Sequence, residues 1–259
     1  MSFNLTKSKD ALAKLQDYYV LAVTSPFGVF RKPFYIKETI EQMDYGGAGS
    51  FFIVFLVSLF IGMALSLQTS AELSEMGLKM YTGRVVGLSI IKEIGPVAIA
   101  LSFAGRVGSG MASEIGSMTL GHQVDILRVH GVSPVKKLVT PRVVSAIIML
   151  PVLTVVGDAV ALFGGYIVAV TAANQSGSVY WSQIKQIMEF TTIFSGVIKP
   201  FIFGYLISTI SCYMGLATRG GARGLRKATT EAVVYSTIMI IVSDFMVTKI
   251  LILALGIPV

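Results

Sequence analysis

The sequence contains little charge, little histidine and almost no cysteine. Only 14% of its 259 residues are charged, whereas about 25% is typical of soluble domains, so a normal solvated surface is excluded. The single cysteine, Cys212, excludes an intramolecular disulfide framework and a thiolate metal cluster. With only two histidines, His122 and His130, a histidine-rich metal site is not expected.

The sequence also lacks the motifs of an enzyme that hydrolyses nucleotides or esters. A Walker loop requires Gly, four residues and then Gly-Lys-Ser/Thr, and no Gly-Lys pair occurs. The glycine-rich basic run at 219–224 has no strand before it and is interpreted as a cytoplasmic turn. No Ser/His/Asp set is apparent. We therefore expect no enzymatic activity and no cofactor in this chain, and any energy must come from a partner or an ion gradient.

The sequence is instead rich in long apolar runs. Hydrophobic residues make up 54% of the chain, and its mean hydropathy is +0.75. The net charge of +7 is not the basic patch of a nucleic-acid-binding domain, because uncharged runs separate the cations. The composition predicts an integral membrane protein.

Five runs are long enough to cross a membrane, which requires about 20 apolar residues. They lack the two-residue alternation of barrel strands, so we predict an all-α membrane domain over residues 45–259. The predicted spans cover 45–71, 84–106, 142–172, 193–218 and 232–255.

The cations that flank these runs predict the orientation. Fifteen lie in the N-terminal segment and in the loops after spans two and four, and this side is therefore predicted to be cytoplasmic. The other loops contain four: Lys79, Arg84, Lys185 and Lys199. With five spans, the C-terminus is then predicted to lie outside.

The segment 1–44 is too interrupted by charge to span a membrane. Its mixture of aromatic, aliphatic and basic residues favours a helix that lies in the headgroup region. A loosely structured cytoplasmic tail is the alternative.

The cytoplasmic segment 112–129 has a second amphipathic pattern. Leu120, Val124 and Leu127 follow helical spacing, and the Gly-Val-Ser-Pro run at 131–134 provides a stop. Such a helix can dock a soluble motor, or it can pack on its own bundle. At the cytoplasmic end of the second span, small residues recur every four positions, which favours close helix packing: Ala104, Gly108, Ala112 and Gly116.

Several charges fall inside the predicted spans, where a charge usually faces protein or water. Glu93 and Asp244 each lie 13 residues from the cytoplasmic end of their span, which is roughly 20 Å along a helix. Asp158, Lys92 and Lys249 complete this layer. Pro96 has no N–H, so the Lys92 carbonyl loses its helical partner and a kink is predicted there.

Several motifs resemble those of the MlaE/YrbE permease family, in the same order from about Pro33 to the C-terminus. They are FIGM at 60–63 with Leu67-Gln68, IIKEIGPV at 90–97, AGRVGS at 104–109, ASEIG at 112–116, PRVV at 141–144 and GGARGLRKATTEAVV at 220–234. Lys92 replaces an arginine that is common in the family, so bidentate phosphate binding is not expected there.

The resemblance implies the permease subunit of a bacterial ABC transporter in the inner membrane. It implies a homodimer, a cytoplasmic ATPase that holds ATP and magnesium, and an outer MCE-domain protein, which together move phospholipids or related lipids to the outer envelope. Segment 112–129 would be the helix that couples to the ATPase, through Glu114, Leu120, Val124, Asp125, Leu127 and Arg128. The lipid headgroup would meet Gln68, Lys92, Glu93 and Asp244.

Two other functions remain open from the residues alone. A gradient-driven secondary transporter would use Glu93, Asp158 and Asp244 as a relay, although no internal repeat is visible. A non-transporting membrane anchor would tolerate apolar replacement of these charges.

Overall fold

The computed structural model describes residues 2–28 and 34–255, and every regular element within them is helical. Of the N-terminal cations, Arg31 and Lys32 lie outside the described residues, as do the side chains of Lys7, Lys9 and Lys14. The α-helices are α1 (Ser2–Phe27), α2 (Ile36–Gly46), α3 (Phe51–Glu75), α4 (Thr82–Ser89), α5 (Gly95–Phe103), α6 (Ser109–Leu120), α7 (Gln123–Val129), α8 (Thr140–Thr171), α9 (Gly177–Ile187), α10 (Phe190–Leu216) and α11 (Gly221–Leu255). Three π-helical turns interrupt them: π1 (Ile90–Ile94), π2 (Ala104–Gly108) and π3 (Val135–Val139).

Among the described residues, five helical stretches are long and apolar enough to cross a membrane, which confirms the predicted number. They are Ile36–Glu75, Lys79–Leu120, Val135–Thr171, Phe190–Leu216 and Gly221–Leu253. The second stretch continues past the predicted end at Arg106, because that residue lies within π2 and the helix resumes as α6. A single charged residue is therefore a poor marker of a span's end.

The chain divides into two compact units. The first unit contains Met1–Tyr45, Ala104–Ala146 and Tyr205–Ile238, and the second contains Gly46–Phe103, Ile147–Gly204 and Met239–Val259. Each unit is therefore built from three separate parts of the sequence.

In the first unit, hydrogen bonds attach α1 to residues of two spans. Tyr205 donates to the Ala22 carbonyl at 2.9 Å, and Thr140 Oγ1 donates to the Ser25 carbonyl at 2.9 Å. Tyr18 Oη lies 3.3 Å from Thr209 Oγ1, and burial raises the pKa of the Tyr18 phenol. The loosely structured tail is therefore wrong for residues 2–27. That α1 lies in the headgroup region stays a prediction.

The small residues at the end of the second span also pack within the first unit. A Cβ added at Gly108 would lie 3.0 Å from Ser211 Oγ, and one at Gly116 would lie 2.6 Å from Leu225 Cδ1. Ala104 and Ala112 are fully buried. The predicted close packing of this face is thus confirmed.

In the second unit, the core forms where α9 packs on α4 and α8. Buried Val86, Ile90 and Leu162 surround Tyr180, whose hydroxyl donates to the Leu162 carbonyl at 3.2 Å. Burial raises the pKa of this phenol, so it remains a neutral donor. Gly62 packs so tightly on the Ala161 carbonyl that a Cβ would overlap it.

Candidate functional site

The helix that carries Lys92 and Glu93 loses its regular α-helical hydrogen bonds at the predicted place, in the π-turn π1, and we call this interruption the helix break. That the helix axis bends there stays a prediction. In π1 the Gly95 N–H donates to the carbonyl of Ile90, five residues earlier. Pro96 has no N–H to donate. Because π-turns often mark functional positions in helices, this break is the natural centre of a candidate site.

The side chain at the centre of the site is Lys199, which the charge count placed in an outer loop. That placement is wrong, because Lys199 lies within α10 and its side chain is only 1% exposed. Its Nζ lies 2.7 Å from Glu93 Oε2 and 2.9 Å from Asp244 Oδ1, and donates to the Lys92 carbonyl at 2.8 Å. The loss of the normal helical partner of that carbonyl is thus confirmed, and Lys199 replaces it.

Sequence reasoning missed Lys199 because it lies only six residues from the predicted start of its span at residue 193. The signal that could have found it was the uncharged run at 190–198, directly before Lys199. This run is long enough for the helix to begin at Phe190. A lysine nine residues inside a helix is not a loop cation.

Glu93 and Asp244, both predicted site residues, are brought together by this lysine. The Glu93 side chain is 43% exposed and that of Asp244 is 18% exposed. Glu93 Oε1 also accepts from Thr248 Oγ1 at 3.2 Å. Three helices of the second unit thus converge on one ammonium group, and Glu93 is its most accessible partner.

Lys92 is half-buried, and within residues 34–255 its ammonium makes no ion pair or hydrogen bond. Gln68 is not part of this ion-pair cluster. Its amide donates to Glu72 Oε1 at 3.2 Å on the exposed side of α3. The four predicted lipid-site residues therefore fall into three groups. Glu93 and Asp244 share Lys199, Lys92 has no ion pair within residues 34–255, and Gln68 lies apart from the cluster.

Asp158 faces the same break from α8. A Cβ added at Gly95 would overlap Asp158 Oδ1, so only glycine allows this approach. That oxygen is buried and has no hydrogen-bond partner among the described residues. Burying an unpaired ionised carboxylate is costly, so Asp158 is distinct from the two carboxylates that pair with Lys199.

In the first unit, the predicted coupling segment is two helices rather than one. A single amphipathic helix through Leu120, Val124 and Leu127 is wrong, because α6 ends at Leu120 and α7 begins at Gln123. Between them His122 adopts a left-handed φ of 58°. The predicted stop is confirmed, since α7 ends at Val129 and Gly131 has a φ of +72°.

The break turns different residues of α7 outward. Val124 is buried and Leu127 is half-buried, whereas Ile126 is 53% exposed and Val129 is 85% exposed. Arg128 donates to Asp125 Oδ1 at 3.3 Å beside them. Sequence reasoning missed Ile126 and Val129, although their three-residue spacing places them on one helical face.

Glu114, a second predicted coupling residue, pairs with a cation that was taken to lie in the loop. Its Oε2 lies 2.7 Å from Arg142 NH2, and Arg142 NH1 donates to the Leu138 carbonyl of π3 at 2.6 Å. Arg142 is buried at the start of α8, so treating it as a loop residue is wrong. This pair joins the two ends of the chain segment that contains α7.

With this geometry established, comparison with known proteins is informative. The family model described as permease MlaE matches residues 39–250. A probable ABC transporter permease protein of Rickettsia typhi is 37% identical over 223 residues, covering 86% of this chain and 86% of that protein.

Two further relatives come from distant sources. The intermembrane phospholipid transport system permease protein MlaE of Haemophilus influenzae is 32% identical over 213 residues, 82% of each chain. The chloroplastic protein TRIGALACTOSYLDIACYLGLYCEROL 1 of Arabidopsis thaliana is 36% identical over 220 residues, 82% of this chain and 61% of that protein. The matched region contains both candidate sites, and the chain belongs to the MlaE permease family, as a multi-pass membrane permease.

Proposed function

We propose that this permease binds phospholipids and moves them between the inner membrane and the outer envelope of a bacterium. The observation that carries the proposal is the half-buried Lys92, whose ammonium group has no partner within residues 34–255 and which directly precedes Glu93, whose side chain is 43% exposed. A charged side chain inside a span usually faces the bundle interior or a water-filled cavity, and such residues often mark the path of a substrate. The name of the Haemophilus influenzae relative, a phospholipid transport permease, supports the lipid class.

Lys92 and Glu93 provide complementary charges for a headgroup. An ammonium group attracts a phosphate as a point charge, without the fixed paired geometry of arginine. The remaining accessible surface of Glu93 can accept hydrogen bonds from an amine-bearing headgroup. A site of this kind favours lipids with a phosphate and tolerates variation in headgroup shape.

Energy for transport is proposed to come from a cytoplasmic ATPase that docks on α7. The exposed Ile126 and Val129, flanked by Asp125 and Arg128, form an apolar centre with a polar rim. Protein interfaces commonly have this arrangement. The names of ABC transporter permeases among the relatives support a partner of this class.

The assembly is further proposed to be a homodimer that carries an MCE-domain protein on its outer side. Only 11% of the most apolar stretch of the last span is buried within the chain, the lowest share of the five. A second copy packed on this helix would cover it. Gentle purification from native membranes and mass spectrometry should recover an ATPase, an MCE-domain protein and phospholipid. Recovery of the chain alone would contradict the proposed assembly.

The proposed orientation has a cytoplasmic N-terminus and an outer C-terminus. Removing Lys199 from the outer loops and Arg142 from the cytoplasmic loops leaves three flanking cations on the outer side against fourteen on the other side. The one native cysteine, Cys212, is buried, so an added cysteine can be labelled selectively. Ile126→Cys should react only with reagent on the cytoplasmic side and Ser178→Cys only from outside; the reverse pattern would contradict this orientation.

The test of the lipid site is transport by the complex reconstituted in liposomes. Because interactions with a charged group contribute about 1.5–3 kcal/mol, Lys92→Ala should reduce phospholipid transfer by about tenfold or more. Lys185→Ala on α9 removes an exposed lysine outside the cluster and is the matched control. Equal transfer by both variants would remove Lys92 from lipid binding.

Gradient-driven transport remains a second candidate because of Asp158. Its buried oxygen without a partner is the kind of group that can bind and release a proton. Transport in the absence of the ATPase, driven by a proton gradient alone, would favour this function.

A further inference from the structure

The break at π1 leaves two backbone carbonyls without their usual helical donors. In a regular α-helix the Ile91 carbonyl accepts from the Gly95 N–H and the Lys92 carbonyl accepts from residue 96. Here the Gly95 N–H donates to Ile90 instead, and residue 96 is a proline. A buried carbonyl without a hydrogen-bond partner is costly. Another helix is therefore expected to lie against these two carbonyls.

That element is α10, which approaches both carbonyls with two residues of one face. Gly196 lies so close to the Ile91 carbonyl oxygen that an added Cβ would overlap it. One turn later, Lys199 donates to the Lys92 carbonyl at 2.8 Å. Residues three apart share a helical face, and the missing side chain at Gly196 lets this face come close.

The ammonium group of Lys199 is enclosed by oxygen atoms of the protein. An ammonium group has three donors, and three oxygen atoms lie within 2.9 Å of Nζ: Glu93 Oε2, Asp244 Oδ1 and the Lys92 carbonyl oxygen. The side chain is 1% exposed. Almost no accessible surface of this side chain therefore remains for a ligand.

We propose that Lys199 is a positioning residue that stabilises the broken helix and thereby presents Lys92 and Glu93, and that it does not contact the transported lipid. Lys199 replaces the N–H that Pro96 lacks, and its charge balances Glu93 and Asp244. What Lys92 and Glu93 bind rests on the proposed function. The role of Lys199 at the helix break does not.

The test restores the missing donor by another route. In Pro96→Ala, residue 96 regains an N–H, and the helix can return to the α register in which that N–H bonds the Lys92 carbonyl. If Lys199 compensates for Pro96, then Pro96→Ala must reduce the damage caused by Lys199→Met. The measurement is thermal unfolding of four full-length proteins in detergent: wild type, each single variant and the double variant.

Lys199→Met should lower the unfolding temperature by on the order of 10 °C, because breaking a buried ion pair is strongly destabilising. Pro96→Ala should recover about a third or more of this loss, while the unpaired carboxylates account for the rest. Pro151→Ala is the matched control, since Pro151 interrupts α8 and its removal gives no donor to Lys92. It should recover nothing.

Additive effects of Lys199→Met and Pro96→Ala would overturn the proposal. If Lys199→Met cannot be purified, recovery of soluble monodisperse protein by adding Pro96→Ala, but not Pro151→Ala, is the same test. Failure to recover protein with Pro96→Ala would then count against the proposal.

A lipid-binding measurement separates this inference from the proposed function. With a fluorescent anionic phospholipid in detergent, Lys92→Ala should weaken binding by about tenfold, whereas Lys199→Arg, which keeps the charge and donors, should bind within about twofold of wild type. Absence of binding by wild type would contradict the lipid function but leave the unfolding result intact. A loss in Lys199→Arg that equals the loss in Lys92→Ala, with the unfolding temperature of Lys199→Arg unchanged, would show direct contact and overturn the positioning role. The same loss together with a lower unfolding temperature would follow from the positioning role, because arginine does not reproduce the geometry of lysine.

Discussion

Each of the two units buries one basic side chain that both pairs with a carboxylate and donates to a carbonyl of a π-turn. In the first unit, Arg142 pairs with Glu114 and donates to the Leu138 carbonyl, which lies four residues earlier in the adjoining π3. In the second, Lys199 pairs with two carboxylates and donates to Lys92, 107 residues away. The arginine thus fixes a local segment, while the lysine joins three helices. This difference predicts that the second unit depends more strongly on its buried cation.

The largest expected effect is that of Lys199→Met compared with Arg142→Met. Loss of Lys199 leaves the carboxylates of Glu93 and Asp244 without this ion pair and the Lys92 carbonyl without its donor, which should cost about 3–5 kcal/mol. Loss of Arg142 leaves Glu114, whose side chain is 49% exposed and can be hydrated, so about 1–3 kcal/mol is expected. Chemical unfolding of the purified variants measures both. Equal losses would remove the proposed difference between the units.

The next effect concerns the exposed face of α7 in the first unit. Replacing Ile126 and Val129 by Glu should weaken association with the ATPase by about tenfold or more, since the few side chains at the centre of an interface contribute over 1 kcal/mol each and burying an unpaired carboxylate there is costly. Both side chains are exposed in the chain, so its own unfolding should hardly change. Val124→Ala, which deletes a buried side chain of α7, is the contrasting variant.

Pull-down of the ATPase and ATP turnover of the complex distinguish the two faces of α7. Val124→Ala should lower the stability of the chain itself. It should weaken association with the ATPase only as a consequence of that lower stability. Normal association and turnover in the Ile126/Val129 variant would place the ATPase elsewhere on the chain.

A smaller effect tests the close approach of α10 to π1. Gly196→Ala would push a Cβ into the Ile91 carbonyl, and overpacking of this kind costs about 1–3 kcal/mol. Gly105→Ala is the control, because nothing lies within 4 Å of a Cβ added there. Thermal unfolding should separate the two; an unchanged Gly196→Ala protein would show that α10 can move away without cost.

The smallest expected effect is that of Asp158→Asn. In ATP-driven transport, Asp158 contacts the helix break but makes no ion pair among the described residues, so transfer should change by less than about twofold. In a proton relay the same change should abolish transport, because an amide does not titrate. Lipid transfer with and without a proton gradient decides between these.

Much of the fold could be predicted because its causes are local in the sequence. Long apolar runs predicted five spans, and the four-residue spacing of Ala104 to Gly116 predicted a closely packed face. The helix break was also predictable, since Pro96 lacks an N–H whatever surrounds it. The single helix over 112–129 failed because periodicity cannot detect the left-handed turn at His122.

Only part of the candidate site could be predicted from the sequence. Glu93 and Asp244 were recognisable as charges inside spans, yet nothing in their spacing showed that they share Lys199. Lys199 itself was misplaced, because a lysine near the end of an apolar run resembles a flanking cation until the helix bounds are known.

The sequence by itself therefore determined the membrane class, the number of spans, the broken helix and the charges inside the spans. These follow from the transfer energy of each run and from the chemistry of single residues. Only the tertiary structure decided which charges meet. Lys92, Lys199 and Asp244 are far apart in the chain. Lys199 Nζ lies 2.8 Å from the Lys92 carbonyl oxygen and 2.9 Å from Asp244 Oδ1, because α10 and α11 pack on π1. The close approach at Gly196 allows that packing, which gives Lys199 its ion pairs and leaves Lys92 without one among the described residues.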